Sequence, residues 1–108
     1  MSIIVINKDN YEEVVKKAEK PVLIDLWAPW CMPCKMLSPV IEQIAAQYEG
    51  KIIVGTINVD DSPELAVELA VLNIPTLVFF KNGQEQGRSS GMLTKEALEF
   101  HINEYFCA

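Results

Sequence analysis

The sequence predicts an α/β fold in which one mixed sheet carries helices on both faces. Short apolar runs alternate with segments of helical periodicity in the order β-α-β-α-β-α-β-β-α. Two strand-helix-strand units followed by a hairpin signal are typical of this class of fold. At 108 residues the chain has room for one hydrophobic core, so we expect a single domain over residues 1–108.

Four apolar or β-branched runs and one polar run predict the strands. The near-continuous apolar run from Pro21 to Ala28 is typical of a central strand that is covered on both faces. Asn82-Gly83 favours a type I′ hairpin turn before a polar strand, which suits the edge of the sheet. The predicted strands are residues 3–6, 21–28, 52–59, 76–80 and 85–90.

Capping residues and apolar periodicity predict four helices. The first begins with Asn10 as N-cap and Glu13 in the capping-box position. The second covers about residues 31–48, where apolar side chains keep the 3.6-residue period. Ser62 caps the third helix and Thr94 the last.

Composition excludes several classes of function. Nine basic residues against 15 acidic ones give a net charge of −6, so a nucleic-acid partner is not expected. No apolar run approaches the ~18 residues of a membrane span, and no secretory signal opens the sequence. Three cysteines do not make a disulfide-stapled scaffold. We therefore expect a cytoplasmic protein without a membrane partner.

Two closely spaced cysteines follow the predicted central strand, in Trp30-Cys31-Met32-Pro33-Cys34-Lys35. Because the segment opens a helix, unsatisfied N–H groups and the helix dipole stabilise a thiolate there. Cys31 is therefore predicted to be an exposed nucleophile of lowered pKa. Cys34, one turn deeper, is predicted to be a less accessible resolving thiol.

Purely structural roles account less well for the cysteine pair. A disulfide across two residues closes too small a loop to restrict the unfolded chain much. A zinc site needs about four ligands, and only His101 and Cys107 remain to supply them. A pair of inert buried thiols does not explain the strand-to-helix context. Cys107 itself is either an idle thiol near the chain end or a site of intermolecular disulfide formation.

Asp25 interrupts the central apolar run. One interpretation is a residue at the strand end that faces water. The other is a buried carboxyl whose pKa is raised by desolvation, and which accepts a proton from Cys34.

These motifs closely resemble the thioredoxin family, and the resemblance covers essentially the whole chain. The residues that carry it are Asp25-Leu26-Trp27-Ala28, Trp30–Lys35, Pro39, Asn58-Val59-Asp60, Ile74-Pro75-Thr76, Phe80-Lys81-Asn82-Gly83 and Gly91. The resemblance implies a thioredoxin fold, with a central five-strand mixed β-sheet flanked by four α-helices. It also implies a monomeric protein-disulfide reductase that uses no metal and no cofactor beyond its cysteine pair. Its partners would be disulfide-containing client proteins and a thioredoxin reductase.

The resemblance also assigns roles to particular residues. Cys31 and Cys34 would be the catalytic pair, and Asp25 the proton acceptor. Pro75 would follow a cis peptide bond, and the backbone of the preceding residue would pair with an extended client. The residues expected to bind substrate are Trp30, Met32, Pro33, Ile74 and Pro75.

Among the departures from the family pattern, which include Asn73 in place of a glycine, two concern the chemistry of the cysteine pair. Met32 stands where glycine is usual, and it either tunes partner preference and reduction potential or is a neutral change. Thr56 stands where many members place a lysine near the buried aspartate, so proton handling is expected to differ. Two rival functions remain, a scaffold with incidental cysteines and an oxidase or isomerase.

Overall fold

The computed structural model describes residues 3–106, so Cys107 lies outside the described part. Five strands form one mixed sheet, which confirms the predicted fold class. The strands are β1 (Ile3–Val5), β2 (Val22–Trp27), β3 (Ile53–Asn58), β4 (Thr76–Lys81) and β5 (Gln84–Ser90). Their order across the sheet is β1-β3-β2-β4-β5, which places β2 at the centre. Strands β1, β3 and β2 are parallel, whereas β4 is antiparallel to both β2 and β5.

Residues 3–106 contain four helical segments, three between strands and one after β5. The number agrees with the prediction, but only three of them are α-helices. These are α1 (Met32–Gln47), α2 (Pro63–Glu68) and α3 (Lys95–Phe106). The hydroxyl of Thr94 accepts the N–H of Ala97 at 3.1 Å, so its predicted capping role is confirmed. Ser62 occupies the cap position of α2 but makes no side-chain capping bond.

The first helical segment, Glu12–Lys16, is π-helical, because the N–H of Lys17 donates to the carbonyl of Glu12 at 3.0 Å. The prediction that Asn10 caps this helix is wrong. Asn7 closes a turn just before it, and the side chain of Asn10 accepts the N–H of Asn7 at 2.8 Å. The carboxamide of Asn10 therefore stabilises the preceding turn and does not cap the helix.

Two apolar cores lie on opposite faces of the sheet. Successive residues of β2 point to opposite faces, so Leu23 and Ile24 belong to different cores. Helices α1 and α3 cover the face of Leu23, while the π-helical segment and α2 cover the other. Asp25 shares the face of Leu23, which places its carboxyl beneath α1. None of the helices in residues 3–106 is long and apolar enough to cross a membrane.

The β4–β5 hairpin turns at Asn82-Gly83, where both residues have positive φ values of 55° and 76°. This confirms the predicted turn, since a type I′ turn needs φ > 0 at both central positions. A Cβ at Gly83 would lie 2.5 Å from the carbonyl oxygen of Lys16. The turn therefore packs closely against the π-helical segment.

Substitution Gly83→Ala is expected to lower the free energy of unfolding by about 2 kcal/mol or more, since it adds a steric clash to the left-handed backbone cost. Gly50→Ala is the matched control, because Gly50 has φ +85° but open space around it. It should lose only about 1 kcal/mol. Urea unfolding measures both, and equal losses would contradict the close packing of the turn.

Candidate active site

Cys31 and Cys34 lie at the start of α1, just after the loop that connects it to the central strand β2. Their sulfur atoms form a disulfide. The Cα atoms are 5.3 Å apart. The N–H of Cys31 donates to the carbonyl of Ala28 at 3.1 Å, which closes the turn between strand and helix. Pro33 fits the first turn of α1, where no backbone donor is needed.

Cys31 is the N-cap residue of α1, and its sulfur acts as the capping group. The N–H of Cys34 donates to Cys31 Sγ at 3.3 Å. The N–H of Lys35 donates to the carbonyl of Cys31 at 3.2 Å. A thiolate at this sulfur would be stabilised by the Cys34 N–H and by the positive end of the helix dipole.

The prediction that Cys31 is exposed is wrong for the disulfide form. Cys31 is 5% exposed and Cys34 is 3% exposed. The physical reason is a small apolar cluster around the pair, in which Ala28 is fully buried and three partly buried side chains pack against it. These are Trp27, Val59 and Ile74.

Exposed side chains surround the buried disulfide. Trp30 is 69% exposed, Met32 is 66% exposed, and Pro33 is also exposed. The indole N–H of Trp30 donates to the carboxylate of Asp60, at 3.1 and 3.3 Å to the two oxygens. Sequence reasoning assigned no role to Asp60. The sequence feature that could have indicated this contact is the position of Asp60 just after β3. Because β2 and β3 are parallel, the residues that follow them meet at the same edge of the sheet.

The Ile74–Pro75 peptide bond is cis, as the resemblance implied. Ile74 packs against the cysteine cluster, and the carbonyl of Pro75 accepts the N–H of Gly91 at 2.8 Å. Within residues 3–106, no backbone hydrogen bond involves the N–H or carbonyl of Ile74. Both groups are therefore available to an extended peptide.

Asp25 is only 5% exposed, and Oδ1 has no hydrogen-bond partner among the described residues. Burial raises the pKa of this carboxyl from 3.8 to about 7. The prediction of a buried carboxyl with a raised pKa is confirmed. The alternative, a residue at the strand end that faces water, is wrong.

A pocket of about 190 Å³ is lined by both Asp25 and Cys34. Its lining is formed by Asp25, Trp27, Cys34, Lys35, Ser38 and Thr56. Thr56 pairs directly with Asp25 across the β2–β3 ladder, so the departure at this position lies beside the carboxyl, as predicted. Ser38 was missed, although its position four residues after Cys34 puts both residues on one face of α1.

No group of three or more His, Cys, Asp or Glu side chains in residues 3–106 is placed to hold a metal ion. His101 on α3 instead contacts Glu104 at 3.3 Å and stacks on Tyr105, with ring centroids 5.9 Å apart. The two sulfur atoms lie at the start of α1, and the buried carboxyl shares a pocket with Cys34.

The fold and site together define a class of proteins with a two-cysteine disulfide at the start of a helix, beside a cis-proline loop. A family model described as "Thioredoxin" matches residues 2–104. The chain belongs to the thioredoxin family.

Relatives from several sources support this membership. The chain is 42% identical to "Thioredoxin" of Porphyra purpurea over 105 residues, which cover 97% of this chain and 98% of that protein. It is 41% identical to "Thioredoxin" of Haemophilus influenzae over 100 residues, covering 93% of this chain and 94% of that protein. It is also 41% identical to "Thioredoxin M-type, chloroplastic" of Spinacia oleracea over 93% of this chain. The chain spans only 55% of the length of that relative.

Substitution Asp25→Ala is expected to stabilise the folded protein at neutral pH. Because the pKa of Asp25 is higher in the folded state, the unfolded chain ionises it more readily, and stability falls as pH rises from about 4 to about 7. Removing the carboxyl should raise the free energy of unfolding at pH 8 by about 1 to 4 kcal/mol, after the lost packing is subtracted.

Urea unfolding of the oxidised protein tests this expectation. It should be measured from about pH 4.5 to about pH 8, because the carboxyl differs in charge between the folded and unfolded states over roughly this range. The difference between variant and parent should grow with pH and level off above the folded pKa. A difference that is independent of pH would show that Asp25 ionises normally in the fold.

Proposed function

We propose that this protein is a thiol-disulfide oxidoreductase that reduces disulfides in client proteins by dithiol-disulfide exchange. The observation that carries the proposal is the Cys31 sulfur at the N-cap of α1, held by the N–H of Cys34 at 3.3 Å. A scaffold would not need a sulfur in that position. We further propose that the chain acts as a monomer and as one domain over residues 1–108.

The reaction begins with the reduced pair. The Cys31 thiolate attacks one sulfur of a client disulfide, the client S–S bond breaks, and the departing client thiolate takes a proton from water. A mixed disulfide now joins Cys31 to the client. Cys34 then loses its proton to Asp25, and the Cys34 thiolate attacks Cys31 Sγ. The second client thiolate leaves, two electrons have passed to the client, and the Cys31–Cys34 disulfide remains.

Clients bind by their backbone and by apolar contact. The free N–H and carbonyl of Ile74 support pairing with an extended client segment, which tolerates many client sequences. Three exposed residues supply the surface around the disulfide. These are Trp30, Met32 and Pro33. Pro75, the remaining predicted contact, is buried and follows Ile74 through the cis peptide bond. Asp60 orients the Trp30 ring through the indole hydrogen bond.

The oxidised pair must be reduced again, and we propose a thioredoxin reductase as the electron donor. We place the protein in the cytoplasm, where thiols stay reduced. The low cysteine count supports this placement, and the net charge of −6 argues against a nucleic-acid partner.

Replacing the resolving thiol should trap the reaction halfway. With Cys34→Ser, insulin reduction by dithiothreitol should fall to the rate of dithiothreitol alone. When the reduced variant is freed of dithiothreitol and then mixed with insulin, a Cys31–client adduct should accumulate on non-reducing gels. Cys31→Ser should be equally inactive but form no adduct. Cys107→Ser is the matched control and should keep full activity. If the Cys34→Ser protein reduced insulin at the parental rate, the proposed reductase mechanism would be contradicted and the scaffold function favoured.

Met32→Gly should weaken client binding, because it removes an exposed apolar side chain beside Cys31. We expect KM for a disulfide peptide with apolar flanks to rise about threefold or more, since burying such a side chain contributes about 1.5 to 3 kcal/mol when complete. Val5→Ala is a control of similar exposure, at 67%, on an edge strand. Unchanged KM and an unchanged redox equilibrium with glutathione would make Met32 a neutral change.

A further inference from the structure

Arg88 is the only arginine in the sequence, and its side chain links the edge strand β5 to the end of α2. Its Nη2 donates to the carbonyl of Leu69 at 2.8 Å, and its Nη1 donates to the carbonyl of Ala70 at 3.2 Å. Within residues 3–106, no backbone N–H donates to either carbonyl. The last carbonyls of a helix lack partners inside the helix, so Arg88 supplies donors that α2 does not. The proposed function gives this contact no role.

We propose that Arg88, oriented by Glu85, is a positioning residue that holds the loop of residues 71–74 in place for client binding. The loop ends at Ile74, whose free N–H and carbonyl pair with an extended client in the proposed function. The inference rests on that proposed function, because it concerns how a client binds beside the cysteine pair.

Glu85 orients the guanidinium through a bidentate ion pair. Its Oε2 accepts Nε of Arg88 at 2.7 Å, and its Oε1 accepts Nη2 at 2.8 Å. Because two parallel hydrogen bonds fix the plane of a guanidinium, they also fix where its remaining N–H groups point. In this structure those groups point at the two carbonyls at the end of α2.

A β-bulge brings the two charged side chains to the same face of the sheet. Residues three apart on a regular strand point to opposite faces. In β5, however, Gln86 has no residue opposite it in β4. Arg88 lies opposite Val78. The bulge places Glu85 opposite Phe80, two residues further along β4. Both of these β4 residues belong to the core that α2 covers, so the ion pair lies on the face of α2.

The end of α2 sets the direction in which the loop leaves the helix. Ala70 has a left-handed backbone with φ of 55°, a conformation that costs an alanine more than a glycine. Its N–H donates to the carbonyl of Val67 at 3.0 Å, and the next N–H donates to the carbonyl of Ala66 at 2.9 Å. These are the two hydrogen bonds of a Schellman helix end. Arg88 bonds the carbonyl of the left-handed residue itself and so fixes the peptide group that begins the loop.

The loop connects this helix end to the client site. Its residues 71–74 line a groove of about 350 Å³ together with Trp30. Leu72 is 96% exposed, whereas Ile74 packs against the cysteine cluster. Near the far end of the loop, the carbonyl of Asn73 accepts the hydroxyl of Thr76 at 2.6 Å. Without the guanidinium, the near end keeps only the helix-end bonds, so we expect this wall of the groove to move more freely.

Two substitutions separate the donors from the charge. Arg88→Met keeps an unbranched side chain but removes every donor, and Arg88→Lys keeps the charge but loses the planar fork. Lys95→Met is the matched control, because it breaks an ion pair with Glu99 on α3 that is about as exposed as the pair on β5. Ion pairs with this exposure contribute little to stability, so we expect all three variants to fold.

Each protein is reduced with dithiothreitol, freed of it and mixed with one of two disulfides, and the loss of protein thiols gives the rate. A peptide disulfide with extended apolar flanks can pair with Ile74, whereas bis(2-hydroxyethyl) disulfide has no peptide backbone. The rate with the peptide should fall about fivefold in Arg88→Met, as expected if the loop is correctly placed in about a fifth of the molecules. Arg88→Lys should recover only part of this loss. The rate with the small disulfide, and both rates of Lys95→Met, should match the parent.

Ala70→Gly in the Arg88→Met background distinguishes positioning from simple stabilisation. Glycine favours the left-handed backbone but gives the two carbonyls no donor. It should therefore restore any free energy of unfolding that Arg88→Met loses, and leave the rate with the peptide low. Recovery of both would show that Arg88 only stabilises the helix end, and would overturn the inference.

Equal slowing of Arg88→Met with the two disulfides would also overturn this role, as would a parental rate with the peptide. In each of these outcomes the parent still reduces both disulfides, so the proposed function stands. A parent that reduces neither disulfide would refute the proposed function and, with it, this role of Arg88.

Discussion

The hydrogen bond from the N–H of Cys34 to the sulfur of Cys31 is the interaction on which the site depends. It exists because the central strand β2 ends at Trp27 and the chain turns at once into α1, with Cys31 at the N-cap. A helix must satisfy its first N–H groups with something, and here one acceptor is a sulfur. The same contact that begins the helix thus prepares a sulfur to carry negative charge.

The second requirement is a buried carboxyl, and it opposes the stability of the fold. Strand alternation carries Asp25 to the face beneath α1, where all other neighbours in β2 are apolar. Burial disfavours the charged carboxylate, yet the raised pKa of about 7 makes the group able to accept and release a proton near neutrality. The buried carboxyl therefore lowers the stability of the fold at neutral pH, and in the proposed function it is the proton acceptor for Cys34.

The sequence predicts most of the fold because its signals are local. The apolar run of β2, the Thr94 cap and the Asn82-Gly83 turn each act over a few residues, and all three are confirmed. The start of the first helix could not be predicted correctly, because the side chains of Asn7 and Asn10 accept each other's backbone N–H groups. This reciprocal pairing depends on the close geometry of the turn before the helix. Motif spacing likewise indicates the cysteine pair but not what covers it.

The parts of the site that escaped prediction involve contacts between distant segments. The burial of Cys31 depends on Val59 and Ile74, which come from other loops. Asp60 reaches Trp30 only because two parallel strands end side by side. The position of Ser38 one turn after Cys34 can be seen in the sequence. Its place in the pocket depends on where Asp25 lies in the sheet, which the sequence does not show.

The most direct test of this account is the pKa of the Cys31 thiol in the reduced protein, measured by the pH dependence of its alkylation rate. A sulfur that caps α1 should titrate clearly below the ordinary cysteine value of about 8.5. The Cys34→Ser protein isolates this thiol for the measurement. A pKa at or above that ordinary value would show that the start of α1 does not stabilise the thiolate, and would contradict the central claim.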